Sequence, residues 1–354
     1  MLSDIEVRDF RCFTSAHLAL HPQTTVLVGR NAQGKTSLLE AACVLMRLQS
    51  PRTSVRTDLI RVGAASLMVE GRWRGQQMRC GMSASARRLA VDGATCDKAG
   101  EYLQQGGLVV WMDHADMNLV RGTGEHRRRF LDFAASQISP GYLKALQGYT
   151  RALRSRNYVL KRDAVIQWKQ ADAYAILMQD FHALLTASRR QLVAMLQPHA
   201  AAVMDKLSGG HEPLSILYEP GCEQGELVDT LLANRAEEER TRSTFTGSHR
   251  DEVALQLQGC AADVFASEGQ QRSITLALKI AQALALEQAR GTPPLLLIDD
   301  VFGELDPDRR RVLLGSFPAG SQRIITTTHL EWAGTLGAEM AVWVVDRAQL
   351  AQKS

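Results

Sequence analysis

Eight consecutive residues, Gly29, Arg30, Asn31, Ala32, Gln33, Gly34, Lys35 and Thr36, fit the pattern G-x-x-x-x-G-K-[ST] in full. The chemistry such a loop supports is phosphate binding. Its glycines let backbone N–H groups converge on phosphate oxygens, the helix that follows lends its positive end, Lys35 reaches the β- and γ-phosphates, and Thr36 offers a hydroxyl to Mg²⁺. Far downstream Leu295, Leu296, Leu297 and Ile298 run into Asp299 and Asp300. A buried strand ending in this way aims Asp299 at the Mg²⁺ shell of a nucleotide. For Asp300, and less for Asp299, the competing reading is a cap on the next helix. About thirty residues ahead of that run, Ser267, Glu268, Gly269 and Gln270 precede a helical pattern that begins near Gln271. Their hydroxyl and N–H groups would form a second anion site at a helix N-terminus. An ordinary N-cap explains the same four residues in isolation.

These residues need elements to hold them. Thr24, Thr25, Val26, Leu27 and Val28 read as a buried strand entering the loop, and 37–42 as the helix leaving it, which is the context a P-loop requires. Residues 2–10 alternate as an opening strand, and the glycine-punctuated apolar runs at 66–71, 78–82 and 89–92 predict an antiparallel layer. From Arg127 to about Leu207 the pattern is helical, with Pro140 and Pro198 as boundaries. An acidic stretch at Glu237, Glu238 and Glu239 reads as mobile. Strands then return, followed by a helix over 273–289, strands at 295–298 and 323–328, and a last strand at 340–345. The expected organisation is an α/β lobe from 1–115 and 246–354, interrupted by a mainly helical insertion over 116–245.

Composition sets limits. Hydrophobic residues at 45% and charged residues at 22% of 354 describe a globular chain. No apolar run approaches the roughly 20 residues that span a bilayer. Asp4 and Glu6 stand where a signal peptide needs basic residues, so a cytoplasmic protein is expected. Cys12, Cys43, Cys80, Cys96, Cys222 and Cys260 form no C-x-x-C pair and support neither a zinc site nor a disulfide framework. The net charge of +3 hides an uneven distribution, because 121–162 holds ten Lys/Arg against Glu125 and Asp132. Within it Arg127, Arg128 and Arg129 have three readings: a solvated helix face, a phosphate-tracking patch, or a contact from one arginine to nucleotide. No aromatic interleaving suggests base stacking, so DNA binding through this stretch would be directed at the backbone and independent of sequence.

Taken in order, the motifs resemble a P-loop ABC-type ATPase head of the SMC-like group, and within it the RecF family of DNA-repair ATPases, over nearly the whole chain. The resemblance is carried by Val7-Arg8-Asp9-Phe10-Arg11, by Arg52-Thr53 with Asp58-Leu59-Ile60-Arg61-Val62-Gly63, and by Leu119-Val120-Arg121-Gly122 with Arg127-Arg128-Arg129-Phe130-Leu131-Asp132. Leu153-Arg154-Ser155-Arg156-Asn157 and Thr246-Gly247-Ser248-His249-Arg250-Asp251 extend it. Ser248 stands where the family usually has proline, Glu252 where it often has a second aspartate, and His329 where many members lack histidine. Thr36 and Ser267 are only about 230 residues apart, so the resemblance implies a compact head with no coiled-coil arm.

It further implies roles. Asp300 takes the place of the carboxylate that polarises the attacking water, and as Asp in place of Glu it predicts slow hydrolysis. Glu304-Leu305-Asp306 resembles the D-loop, and His329 is placed like a switch histidine, with a surface histidine as the plain alternative. Ser267, Gly269 and Gln270 of one copy would complete the ATP and Mg²⁺ held by the P-loop of another. An ATP-dependent, head-to-tail homodimer on duplex or gapped DNA would then assist recombinase loading at single-strand junctions together with RecR and RecO. A DNA-binding scaffold with a vestigial ATPase and the head ATPase of a defence system are the other readings. No [NT]-K-x-D motif supports a GTPase.

Overall fold

The computed structural model describes residues 1–332 and 340–353. The chain begins with β1 (Leu2–Phe10), β2 (Phe13–Ala19), β3 (Thr24–Val28), α1 (Lys35–Arg47), β4 (Ser66–Trp73), β5 (Gln76–Ser83), β6 (Arg87–Val91), β7 (Ala94–Thr95), α2 (Ala99–Gln105) and β8 (Val109–Met112). A mainly helical stretch follows, with α3 (Asn118–Arg121), α4 (Gly124–Ile138), α5 (Tyr142–Arg162), α6 (Trp168–Ser208), β9 (Leu214–Glu219), α7 (Leu227–Ala233), α8 (Arg235–Thr241), β10 (Glu252–Leu257), β11 (Cys260–Ala261), α9 (Ala262–Phe265) and α10 (Glu268–Arg290). The chain closes with β12 (Leu295–Asp299), α11 (Pro307–Ser316), β13 (Arg323–Thr327), β14 (Met340–Asp346) and β15 (Gln349–Lys353). Two compact units result, Met1–Ala115 with Gly291–Ser354, and Asp116–Arg290.

The first unit is two sheets with a helix between them. Strands β3, β12 and β13 are nearly continuous runs of Val, Ile, Leu and Thr, buried along almost their whole length. That composition belongs to parallel strands covered on both faces. They sit in a six-stranded sheet of order β15-β14-β3-β13-β12-β8, parallel except for the terminal β14–β15 hairpin. The second sheet, β2-β1-β4-β5-β6-β7, is antiparallel throughout. Helix α1 packs on β1, β4 and β5 of one sheet and on β8, β12 and β13 of the other. Every residue of α1 except Thr36 is therefore buried, which explains why Leu38 to Met46 are apolar or small on all sides save at Glu40.

The second unit is built on α6, against which α5 and α10 both pack, with the three-stranded antiparallel sheet β11-β10-β9 alongside. Helices α5 and α6 form a hairpin closed at its tip by Val159, Leu160, Ile166 and Ala171. Three expectations are corrected here. Residues 246–290 belong to this unit and not to the α/β lobe, because β10 pairs with β9 and α10 lies along α6. Pro198 lies inside α6 and not at a boundary. A proline in a helix interior costs about 3 kcal/mol, and burial of Leu196, Ala200 and Val203, with the Gln197 side chain bonded to Leu214 and Ile216, carries the helix through it. The acidic stretch is the ordered helix α8, in which Glu238 is fully buried and holds Arg156 through two bonds of 2.6 Å. In the first unit, Met340–Asp346 is not the last strand, since β15 follows it. Its Gln349, Gln352 and Lys353 give no apolar pattern from which an edge strand is read.

A buried polar network fixes the segment 246–251. The Arg189 guanidinium bonds Asp132 (2.7 Å), Asp251 (2.6 Å) and the Ser248 carbonyl (2.6 Å). Asp251 also accepts from the Tyr218 hydroxyl and, at 2.9 Å, from the Gly221 N–H. Ser248, in the place of the family's proline, gains a 2.7 Å bond between its hydroxyl and His182 Nδ1, and Glu252 pairs with Arg127 at 2.7 Å. His249 meets Tyr149 at 2.9 Å, and burial lowers its pKa to about 4. Burial also lowers that of His182. The unfolded chain takes up a proton at His249 near pH 6.5, whereas the folded one resists until about 4. The stabilisation is thus complete above pH 6.5 and is lost as pH falls toward 4, an effect of up to about 3 kcal/mol. Urea unfolding of wild type at pH 7.5 and 5 is expected to show this loss, and His249→Gln to lack His249's share of it. Equal pH dependence in the two proteins would remove His249 from the account.

Candidate nucleotide-binding site

Within the first unit, the C-terminal ends of β3, β12 and β13 and the N-terminus of α1 surround a cavity of about 1160 Å³. Its floor is the loop between β3 and α1. Ala32 adopts φ 63° and Gly34 φ 107°, so the loop bows through left-handed conformations that cost an alanine about 1 kcal/mol or more. Gly34 is required twice over, since a Cβ there would lie 2.7 Å from the Phe13 ring and 2.8 Å from Cys12 Sγ. Gly29 is required for another reason, because its Cβ would lie 2.2 Å from the Val345 carbonyl of β14. Asn31, Ala32, Gln33, Gly34, Lys35 and Thr36 line the cavity. Gly29 and Arg30 stand behind it, and their carbonyls accept from Lys35 Nζ at 2.7 and 2.8 Å. Gln33 ties the loop to the β14–β15 turn by accepting from Arg347 N at 2.6 Å.

Asp299 and Thr36 meet at the cavity wall. The Thr36 hydroxyl lies 2.9 Å from both Asp299 oxygens, and Thr326 Oγ1 donates to Asp299 at 2.6 Å. Burial raises the pKa of Asp299, opposed by the bonds from Thr326 and Thr36. Burial likewise lowers that of Lys35, opposed by the charges of Asp300 and Asp299. Both shifts mark charged groups partly withdrawn from water. Asp300 follows in a left-handed conformation, φ 54°, with its N–H on the Thr326 carbonyl and hydroxyl at 3.2 and 3.0 Å, and it lines the cavity. It is not a helix cap; the cap of α11 is Asp306, which accepts from Arg309 N at 2.9 Å. The side chain of Glu304 lies outside the described residues.

His329 is exposed and does not line the cavity, and its backbone N–H and carbonyl close on the Thr327 hydroxyl. Ser267, Gly269 and Gln270 belong to the second unit. There they form a reciprocal capping box, with Gln270 N–H on Ser267 Oγ at 3.3 Å and Ser267 N–H on Gln270 Oε1 at 2.7 Å. The helix consequently starts at Glu268 and not near Gln271, and Ser267 remains exposed at its tip.

Several cavity residues had been given no role from the sequence. Arg11, Arg52, Arg61 and His114 all line it. Glu40, fully buried one turn into α1, positions two of them. Its carboxylate takes Arg11 bidentately at 2.6 and 2.8 Å, Ser50 Oγ at 2.5 Å and Arg52 at 3.4 Å. Arg11 and Arg61 come from segments quoted above for their resemblance, and the fold brings those segments side by side through the Phe10↔Ile60 bridge, the Arg61–Asp9 ion pair at 2.7 Å and a 2.6 Å bond from Arg11 to the Asp58 carbonyl. A lone acid amid the apolar residues of a P-loop helix is the sequence feature that points to this network. Among the described residues, no group of three or more His, Cys, Asp or Glu is placed to hold a metal.

A family model described as an AAA ATPase domain matches residues 1–66. The DNA replication and repair protein RecF of Synechococcus sp. (strain JA-2-3B'a(2-13)) is 35% identical over 348 residues, covering 93% of this chain and 91% of its own. A solved structure of the recombination mediator protein RecF-ATP in the RecFOR pathway superposes with a TM-score of 0.88 at 23% identity, covering 100% of this chain and 97% of its own. The Pyrococcus furiosus Smc head domain, with an extended coiled coil and bound to the C-terminal domain of ScpA, gives 0.56 at 12% identity over 100% of this chain and 96% of its own. Those two likenesses show the fold, an SMC-like ABC-type ATPase head, with no coiled-coil arm among the described residues. The sequence identity, sustained over nine-tenths of both chains, places this chain in the RecF family of DNA replication and repair proteins.

Proposed function

We propose that this chain is an ATP-driven switch on DNA in recombinational repair and replication-fork maintenance. The observation that carries this reading is the meeting of Thr36 and Asp299 at 2.9 Å beside a phosphate-binding loop, in a cavity of nucleotide size. One hydroxyl and one carboxylate, with the remaining positions left to phosphate oxygens and water, is a donor set that suits Mg²⁺. When bound there, the ion would neutralise charge on the β- and γ-phosphates. Lys35, freed from the Gly29 and Arg30 carbonyls, turns to the phosphates; Arg11 and Arg52, held by Glu40, add positive charge to the cavity wall. Asp300 accepts a proton from the attacking water.

A second copy completes the site in this reading. Ser267 is exposed, and on the short helix just before it Val264 and Phe265 are 68% and 72% exposed. An apolar pair beside a helix N-terminus favours a surface that becomes covered, and ATP supplies the condition for covering it. DNA, RecR and RecO as partners rest on the family and on the pathway named for the solved relative. The cytoplasmic location expected from the sequence goes with this reading. Among the described residues no helix is long and apolar enough to cross a membrane.

Sedimentation with ATP and gapped duplex tests the switch. Wild type is expected to shift to a dimer, Lys35→Met to lose both ATP binding and the shift, and Ser267→Arg to keep ATP binding while losing the shift. A Ser267→Arg protein that still dimerises would remove the trans contact. Asp300→Asn is expected to slow phosphate release by about 100-fold or more and to prolong the ATP dimer, and no change in either would leave a scaffold with an idle site. Glu40→Gln is expected to weaken ATP binding about tenfold and to cost about 2–4 kcal/mol in chemical unfolding, because two arginines lose their buried counter-charge. Unchanged ATP affinity would show that those arginines do not serve the nucleotide.

A further inference from the structure

The basic stretch resolves into two populations. Arg127 and Arg128 are committed to Glu252 and to the Asp251 carbonyl, Arg129 to Glu125, Arg121 to Gln271 and Glu268, and Arg156 to buried Glu238. Of these, Arg127, Arg128 and Arg156 are held within the fold, whereas Arg121 and Arg129 are exposed but already paired. The other five, Lys144, Arg151, Arg154, Lys161 and Arg162, all lie on α5, and all are exposed.

Their arrangement is regular. One face of α5 is locked inward through Tyr142, Ala145, Tyr149, Ala152, Arg156, Val159 and Leu160. Its exposed positions are 144, 147, 151, 154, 158 and 161, a single stripe at alternating spacings of three and four, with 162 beside its end. The stripe reads Lys144, Gln147, Arg151, Arg154, Tyr158, Lys161 and Arg162, and α5 contains no Asp or Glu in 21 residues. Arg162 pairs with Asp163 just past the helix. Among the described residues, Lys144, Arg151, Arg154 and Lys161 make no ion pair. At 1.5 Å per residue the stripe is about 27 Å long. Ordinary solvated helix faces mix signs, and like charges at i,i+3 and i,i+4 repel. A stripe of one sign along a rigid helix carries a stability cost that a polyanion would relieve.

We infer that the outer face of α5 is a docking rail for the sugar–phosphate backbone of duplex DNA. The inference rests on the DNA-binding reading above and assigns it a surface. Duplex fits better than single strand on two counts. A straight rail of about 27 Å spans most of a helical turn of regularly spaced phosphates, whereas single-strand binders use successive aromatic platforms, and this face has only Tyr158, with the Arg162 guanidinium 5.8 Å from its ring. A second copy of the same face would be repelled by it. Contacts of this kind position the protein without reading sequence.

The test uses the full chain and a fluorescent duplex of random sequence, with anisotropy read from 50 to 200 mM salt. Arg151→Gln/Arg154→Gln/Lys161→Gln removes three charges without harming helix propensity. It is expected to weaken duplex binding and to make the slope of log K against log[salt] shallower by about 2.7, at roughly 0.9 per phosphate contact. The charge-keeping variant Arg151→Lys/Arg154→Lys/Lys161→Arg is expected to retain the wild-type slope. A urea unfolding curve followed by circular dichroism, unchanged in both, shows that each is folded. Wild type that binds duplex, with the glutamine variant showing the same affinity and slope, overturns the rail and leaves the DNA-binding reading standing. Loss of single-strand binding alone, or equal loss in both variants, also overturns it. Wild type that does not bind duplex at all overturns the underlying reading instead.

Discussion

Helix α1 has no solvent face, and much of the first unit follows from that confinement. Sheets press on it from two sides, so its side chains must be apolar or paired and its axis cannot shift without opening both cores. Only the N-terminal turn is released, and there the dipole and the unbonded N–H groups face the cavity. One acid interrupts the apolar helix. A carboxylate as buried as Glu40 needs its charge answered, and the answer is Arg11 from the end of β1 together with Ser50 and Arg52 from the segment after α1. The cost of burying one charge thus fixes the loops around the cavity as firmly as packing fixes the helix.

The second unit uses the same device at Arg189. Its guanidinium gathers Asp132, Asp251 and the Ser248 carbonyl, and so gives the segment 246–251, which the sequence offers only as a family resemblance, a place in the internal structure. Asp251 is fully buried and His249 half-buried, and both have neighbours that account for their chemistry. Resemblance identified the family through them, but a residue can mark a family because the fold requires it. Ser267 differs in that its capping box satisfies the helix terminus while leaving the hydroxyl edge exposed.

What was legible in the sequence was local. The P-loop, the apolar run into Asp299 and the antiparallel layer each declare themselves within a dozen residues, by composition and period. Arg11, Arg52 and Arg61 were visible as family segments but not as cavity residues, since their convergence depends on β1 meeting the chain near Ile60, fifty residues away. Glu238 read as part of a mobile stretch because its partner Arg156 lies 82 residues earlier. The boundary set at 245 followed the return of strands after the acidic stretch, but those strands pair with β9 and α10 packs with the helices. Strand β15 is polar and pairs only with its hairpin neighbour, so no pattern announces it.

Charge shows the same limit most clearly. A net charge of +3 says nothing about a polyanionic partner, and even ten cations within 121–162 do not, because five of them are spent on carboxylates and carbonyls that the fold brings to them. The distinction between the two sets is one of helical phase. Arg156 is two residues from both Arg154 and Tyr158, yet it points inward to Glu238 while both of those face solvent. Position on the helix decides whether an arginine is structural cement or an exposed charge, and that position is fixed by the apolar residues that turn α5's other face onto α6. The surface electrostatics of this protein are therefore set by its core.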